Sequence, residues 1–452
     1  MPKPDSYLLR FAWLLACFAG LSSASAAPVS FTREIAPILA AKCLGCHDST
    51  KAKGKYQLQN FDLLMKPGGS GKAPVLGGKP ADSHLLELLL ASDPDDRMPQ
   101  KDDALPAIQI QLVKQWIVEG AAFDGPATSM TLGVLLEESQ PAAPELYPAR
   151  MPVTALALMP GAQKVWTSGL REILDFNAAK GELTRRLGHQ PKRIQALDLS
   201  PDGKWLASAG GSSGKSGQVR VLELGSTNQS RLVASYPDLA FCVRFAPATN
   251  RFAASAADNT IRIFSLPEGR ELLKIEQHAD WVLDLNWSAD GKRLISASRD
   301  RSARVYNTTN GELETSFIGH EMPVNSACFL PDGKTAVSCG RDRKIHFWTI
   351  AEGNKTATLD GFEAEPLRVI SIKDKVFVLF SDGMLRAYST ADRKEVGSVK
   401  AALDWPSAIS IDAKAETAAV GAMNGDVTIL SLKDFTIIRR FSALPGFTSA
   451  SN

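Results

Sequence analysis

From Met151 onward, apolar and polar residues alternate in short runs broken by turns, the two-residue period of half-buried β-strands. In one unit Leu283, Leu285 and Trp287 alternate with Asp284 and Asn286, and turns then separate runs at 293–298 and 303–306. The last of these runs has counterparts in Ile173-Leu174-Asp175-Phe176, Val219-Arg220-Val221-Leu222, Ile261-Arg262-Ile263-Phe264, residues 344–348, Leu385-Arg386-Ala387-Tyr388 and Val427-Thr428-Ile429-Leu430. Turns set the period. Pro160, Pro201, Pro247, Ala289 and Pro331 follow one another at 41, 46, 42 and 42 residues, three of them within Ser-Pro-Asp-Gly, Ser-Ala-Asp-Gly or Leu-Pro-Asp-Gly. Weaker units around Asp374 and Ala413 bring the total to seven. Four short strands in each unit of this length predict the blades of an all-β seven-bladed propeller, whose radial arrangement protects most strand edges. Residues 435–441 read as an outer strand of the seventh blade. No strand before Val153 is evident to interlock the ring, unless 131–138 contributes one.

Upstream the period changes. Ile35, Ile38 and Leu39 lie at helical spacing, with Pro37 near the helix start, and Ile108, Leu112, Val113, Trp116 and Ile117 form a second helical face stopped at Gly120. Between them lies a loop region with Pro67-Gly68-Gly69-Ser70-Gly71 and Gly77-Gly78. The organisation read from the chain is a leader over 1–26, a small all-α domain over 27–124, a proline-bearing linker over 125–150, the propeller over 151–447 and a tail over 448–452.

Composition adds two constraints. A chain that is 44% hydrophobic and 22% charged is globular, and a net charge of +2 gives no overall basic field for nucleic acid. The leader carries Lys3 and Arg10, an apolar run over 11–21, and then Ser23-Ala24-Ser25-Ala26-Ala27, the order of a secretory signal peptide. That run is far short of the roughly 20 residues needed to span a bilayer. Cleavage after Ala26 removes two positive charges and one negative from +2, leaving +1 and no transmembrane span. The expected compartment is the periplasm. Leu15-Ala16-Cys17 is an imperfect lipoprotein pattern and marks Cys17 as an alternative lipid anchor.

The six cysteines are too few for a disulfide framework, so their spacing carries the information. Cys43-Leu44-Gly45-Cys46-His47 is the pattern of covalent haem c attachment, expected by chance only about 0.001 times in such a composition. Two thiols two residues apart can reach the vinyl groups along one haem edge, and the next side chain, His47, then falls beneath the iron. A thioredoxin-like dithiol lacks its βαβ surroundings, and a zinc site would need another Cys or His pair nearby. Met98, in Asp96-Arg97-Met98-Pro99, is the candidate sixth iron ligand, since a thioether favours electron transfer over substrate binding. Met65 and His84 are the further candidates.

Residues 31 to about 124 resemble the planctomycete-type cytochrome c domain, through Phe31, Ile35-Ala36-Pro37-Ile38-Leu39, the Cys43–His47 motif, Gly78-Lys79-Pro80, Ser83, Met98-Pro99, Trp116-Ile117 and Gly120-Ala121. The resemblance implies one covalent haem c on Cys43 and Cys46, with His47 and Met98 as axial ligands. The fifth propeller unit resembles a WD repeat in Gly319-His320, Pro331-Asp332-Gly333, Ser338, Asp342 and Trp348. This implies a structural hydrogen-bonded network of His320, Ser338, Asp342 and Trp348. Gly188-His189, His278 and Asp300 match parts of it elsewhere, and the three histidines are expected at equivalent structural positions. His346 is expected to face solvent, and Cys242, Cys328 and Cys339 to be buried free thiols.

Three functions follow as expectations. The first is an exported electron carrier whose propeller docks a redox partner protein, the molecule being a monomer or weak oligomer. The second is a haem oxidoreductase whose propeller binds a substrate or second cofactor, resembling haem-containing nitrite reductases at the level of fold alone. In the third, the haem is a structural staple or redox sensor in a partner-binding protein.

Overall fold

A computed structural model describes residues 27–446 apart from 49–50, 101–102, 139–141, 162, 227–228 and 248. The leader with Cys17 and the tail at 448–452 lie outside the described residues. Among the described residues, no helix is long and apolar enough to cross a membrane.

The N-terminal module is small and built from short helices. A wide helical turn, Phe31–Ile35, leads into α1 (Ala36–Lys42), followed by α2 (Phe61–Leu64), α3 (His84–Leu89), α4 (Ala107–Val118) and α5 (Leu132–Glu138). Phe31, Ile35, Leu39, Val113, Trp116 and Ile117 form its buried centre. Burying a large apolar side chain of this kind contributes about 1.5–3 kcal/mol. The module's two ends are tied together. Asp124 accepts hydrogen bonds from the Ser30 hydroxyl at 2.5 Å and the Thr32 amide at 2.8 Å, and Glu119 accepts one from the Val29 amide at 2.7 Å. Gly77 lies so close to the end of α4 that a Cβ there would stand 2.4 Å from the Gly120 carbonyl oxygen. Of residues 131–138, Leu132–Glu138 form a helix rather than a strand, and Thr131 makes only an isolated β-bridge to Asn60. Leu132, Val134 and Leu135 of α5 enter the module's core, while Gly133 lies against the Lys215 carbonyl of the second blade.

Residues 156–442 form a seven-bladed β-propeller of seven four-stranded antiparallel sheets, each with its strands in sequence order. The periodic turns all fall between the first and second strands of a blade. Their chemistry explains the repetition. In the second blade the Ser200 hydroxyl accepts from the Trp205 amide at 2.8 Å, Asp202 accepts from the Lys204 amide at 3.1 Å, and Gly203 takes φ +71°. A side-chain acceptor replaces the missing backbone partner, and glycine occupies the left-handed position at least steric cost. Ser288, Asp290 and Gly291 repeat the arrangement in the fourth blade.

The ring closes without a shared sheet. The first blade starts at Leu156–Leu158 and the seventh ends at Ile437–Ser442, each contiguous in sequence. They are joined by hydrogen bonds: Val153 amide to Ala422 carbonyl at 3.1 Å, Ser407 hydroxyl to Val153 carbonyl at 2.6 Å, Leu158 amide to Ser410 hydroxyl at 3.1 Å and Gly161 amide to Asp412 carboxylate at 2.6 Å. Phe441 packs on Phe176 across the seam, ring centroids 5.2 Å apart. A buried clamp fastens the incoming chain beside it. The Tyr147 hydroxyl donates to Glu172 at 2.6 Å, Arg186 grips both Glu172 oxygens at 2.6 and 2.8 Å, and the same guanidinium donates to the Pro144 and Glu145 carbonyls.

Candidate functional site

Cys43 ends α1, its amide donating to the Leu39 carbonyl at 2.9 Å, and the chain then makes one more helical turn. The Cys46 and His47 amides both donate to the Cys43 carbonyl at 3.2 Å. Residues three and four apart on such a turn share a face, so Cys43, Cys46 and His47 project together. Leu44, between them, packs instead against the helical core.

All three line one cavity of about 580 Å³ with Tyr56, Leu58, Leu85, Leu88, Leu89 and Met98. The Met98 amide donates to the Leu88 carbonyl at 3.0 Å, which holds the Arg-Met-Pro turn against the end of α3. Thus the motif and Met98, far apart in sequence, border a single space. Met65, the alternative thioether, is partly buried against the helical core and is not among the cavity's lining residues. His84 does line the cavity, its Nδ1 2.7 Å from Glu87, whose carboxylate is held below its usual range by His84 and then Lys72.

The donor set suits haem. His47 Nδ1 lies 3.3 Å from the Tyr56 carbonyl oxygen, which can only accept, so Nδ1 carries the hydrogen and Nε2 keeps its lone pair for a metal. The Leu58 amide bonds the His47 carbonyl at 3.0 Å and steadies the turn. Burial, and then the neighbouring Cys46, push the Cys43 thiol up to about 11. Rapid dithiol exchange needs the opposite shift. Apolar leucine walls, two sulfurs beside an oriented imidazole, and a thioether match a porphyrin bound through one edge, and the volume lies within the range of about 300–1,000 Å³ usual for ligand pockets.

In the fifth blade, His320 Nδ1 bonds Asp342 at 2.8 Å and Nε2 bonds the Ser338 hydroxyl at 2.9 Å, and the hydroxyl oxygen accepts from the Trp348 indole at 3.2 Å. Burial works to raise the Asp342 carboxyl, but the His320 hydrogen bond and charge hold it below its usual range. The fourth blade repeats the set with His278, Asp300 and Ser296, both ring nitrogens 2.7 Å from their partners. His189 does not match it. It is exposed at φ +54°, and Gln190 takes the buried place, bonding the Ser208 hydroxyl at 2.7 Å. The preceding Gly-His pair misleads by one residue. His346 is 2% exposed rather than solvated, because the Phe317 ring covers it at 5.5 Å. Cys242, Cys328 and Cys339 are buried free thiols.

Sequence reasoning did not name the residues that line the central channel. Thr154, Gln195, Phe241, Leu283, Asn325, Leu367 and Ser407, one per blade, line a central cavity of about 420 Å³. Their shared place near the start of each inner strand follows the turn period, but their chemistry varies, so no motif marks them.

The fold is a seven-bladed propeller with WD-type repeats, preceded by a small helical module that is similar to cytochrome c domains. Residues 43–102 match the family model for Planctomycete cytochrome C, and residues 181–221, 232–265, 269–307 and 311–349 match that for WD domain, G-beta repeat. No curated protein matches the chain.

Proposed function

We propose that this chain is an exported c-type cytochrome that carries single electrons, with one haem attached covalently through Cys43 and Cys46 and held axially by His47 and Met98. The observation that carries this reading is the convergence of these four residues on one apolar cavity. Bound haem would supply a reversible one-electron couple. The residues of the chain do the rest. The Tyr56 carbonyl orients His47 through Nδ1, Leu58, Leu85 and Leu88 supply apolar walls, and Met98, held by its amide hydrogen bond to the Leu88 carbonyl, would be the second side chain to hold the iron and deny that place to small molecules. The leader directs export to the periplasm, where the propeller serves as a rigid platform for a redox partner protein. Expression in a host competent for cytochrome maturation tests the reading. A coloured product with one covalent haem per chain, retained after acid–acetone extraction and lost in a Cys43→Ala, Cys46→Ala double variant, is expected; a colourless chain at its amino-acid mass overturns it.

A further inference from the structure

The third strands of the propeller carry a repeated arginine at an equivalent register against the second strand: Arg220 opposite Ser208, Arg262 opposite Ala254, Arg304 opposite Ser296 and Arg386 opposite Val378, in blades two, three, four and six. In three of these blades it meets an aspartate four residues earlier: Arg262 with Asp258 at 3.1 Å, Arg304 with Asp300 at 3.5 Å and Arg386 with Asp382 at 3.7 Å. The fifth blade keeps the aspartate, Asp342, but has His346 where the arginine would be. His346 is 2% exposed, its Nδ1 is 2.9 Å from the Thr358 hydroxyl, and its Nε2 is buried with no hydrogen-bond partner. Its ring centroid lies 4.5 Å from that of His320. One ligand atom each from His320, Asp342 and His346 fall within 4.8 Å of one another.

We infer that His320, Asp342 and His346 form a binding site for a divalent transition ion of the zinc class. The ion would restore, beside Asp342, the positive charge that arginine provides in the sister blades. Zinc ligands lie about 2.0–2.2 Å from the metal, so the three side chains close by roughly 1 Å to bind it. His346 is placed for the role: the Thr358 hydroxyl engages Nδ1 at 2.9 Å, and the buried, unpartnered Nε2 is the nitrogen that would take the metal. His320 exchanges one of its two hydrogen bonds for the metal, while Asp342 retains its other oxygen, which accepts from the Lys344 amide at 3.2 Å.

The test uses the full mature chain at neutral pH, equilibrated with zinc sulfate, desalted, and assayed for zinc and iron by mass spectrometry. The wild-type chain is expected to hold one more zinc than H346R, whose arginine is the residue used at this position in the sister blades, and zinc is expected to raise the thermal midpoint of the wild type alone. H346Q, uncharged, should lose the same zinc and guards against misfolding of the first variant. Iron content, unaffected by either change, keeps this outcome separate from the fate of the haem reading. Equal zinc in wild type and both variants overturns the assignment.

Discussion

At the residue scale the sharpest expectations concern Met98 and Asp198. Met98→Ala should abolish the methionine-to-iron charge-transfer band of the oxidised protein, and Met98→His should lower the reduction potential, because imidazole stabilises the ferric state relative to a thioether. An unchanged absorption spectrum in both variants would exclude Met98 as a ligand. Asp198, whose carboxylate accepts from the Phe245 amide at 2.6 Å on the neighbouring blade, is pushed up to about 6 by burial, which outweighs the attraction of Arg244. A carboxyl raised in the folded state binds its proton there before it does so in the unfolded chain. The folded state therefore loses stability as pH rises from about 4 to about 6. Asp198→Asn should accordingly raise the melting temperature at pH 7 and leave it unchanged near pH 4; a variant that destabilises at pH 7 would show that the charge is favourable where it sits. Ser338→Ala leaves the buried His320 Nε2 and the Trp348 indole N–H without their shared partner and should cost about 1–3 kcal/mol in denaturant unfolding.

At the scale of elements, legibility followed locality. The Ser-x-Asp-Gly turns could be read because Ser200, Asp202 and Gly203 satisfy one another within six residues. The shared face of Cys43, Cys46 and His47 could be read for the same reason, since the three lie on one turn of backbone. Met98 could be singled out as a candidate from its Arg-Met-Pro turn but not placed, because its approach to the cavity depends on its hydrogen bond to Leu88 of α3 and on nothing adjacent to it in sequence. His346 could not be read at all: its burial is imposed by Phe317 from the outer strand of the neighbouring fourth blade, which alternation within its own strand does not reveal. The same holds for the clamp of Tyr147, Glu172 and Arg186. Tyr147→Phe removes only the bridging hydroxyl and should cost about 1 kcal/mol, whereas Glu172→Ala leaves Arg186 and the hydroxyl without their acceptor and should cost about 2–3 kcal/mol, discounted because the guanidinium is 27% exposed. Chemical denaturation of both variants checks the order; equal losses would mean that the carboxylate adds nothing beyond the hydroxyl's partner.

For the whole molecule, the seven-fold repeat was evident from turn spacing, but the manner of closure was not. It depends on pairs such as Val153 and Ser407, which lie 254 residues apart. Because, among the described residues, no strand passes from one end of the ring into the sheet of the other, the propeller resembles a split washer held shut at its cut. Separating the lips exposes Phe176 and Phe441 without first unravelling either blade. Amide exchange near Val153, Leu158 and Gly161 should therefore be faster than at the equivalent joints elsewhere in the ring. A covalent staple across the gap should slow unfolding more than one placed between any other neighbouring pair. The same openness makes the gap the natural place to relocate the chain ends: joining residues 153 and 442 and cutting a loop between other blades should return a ring of the same shape.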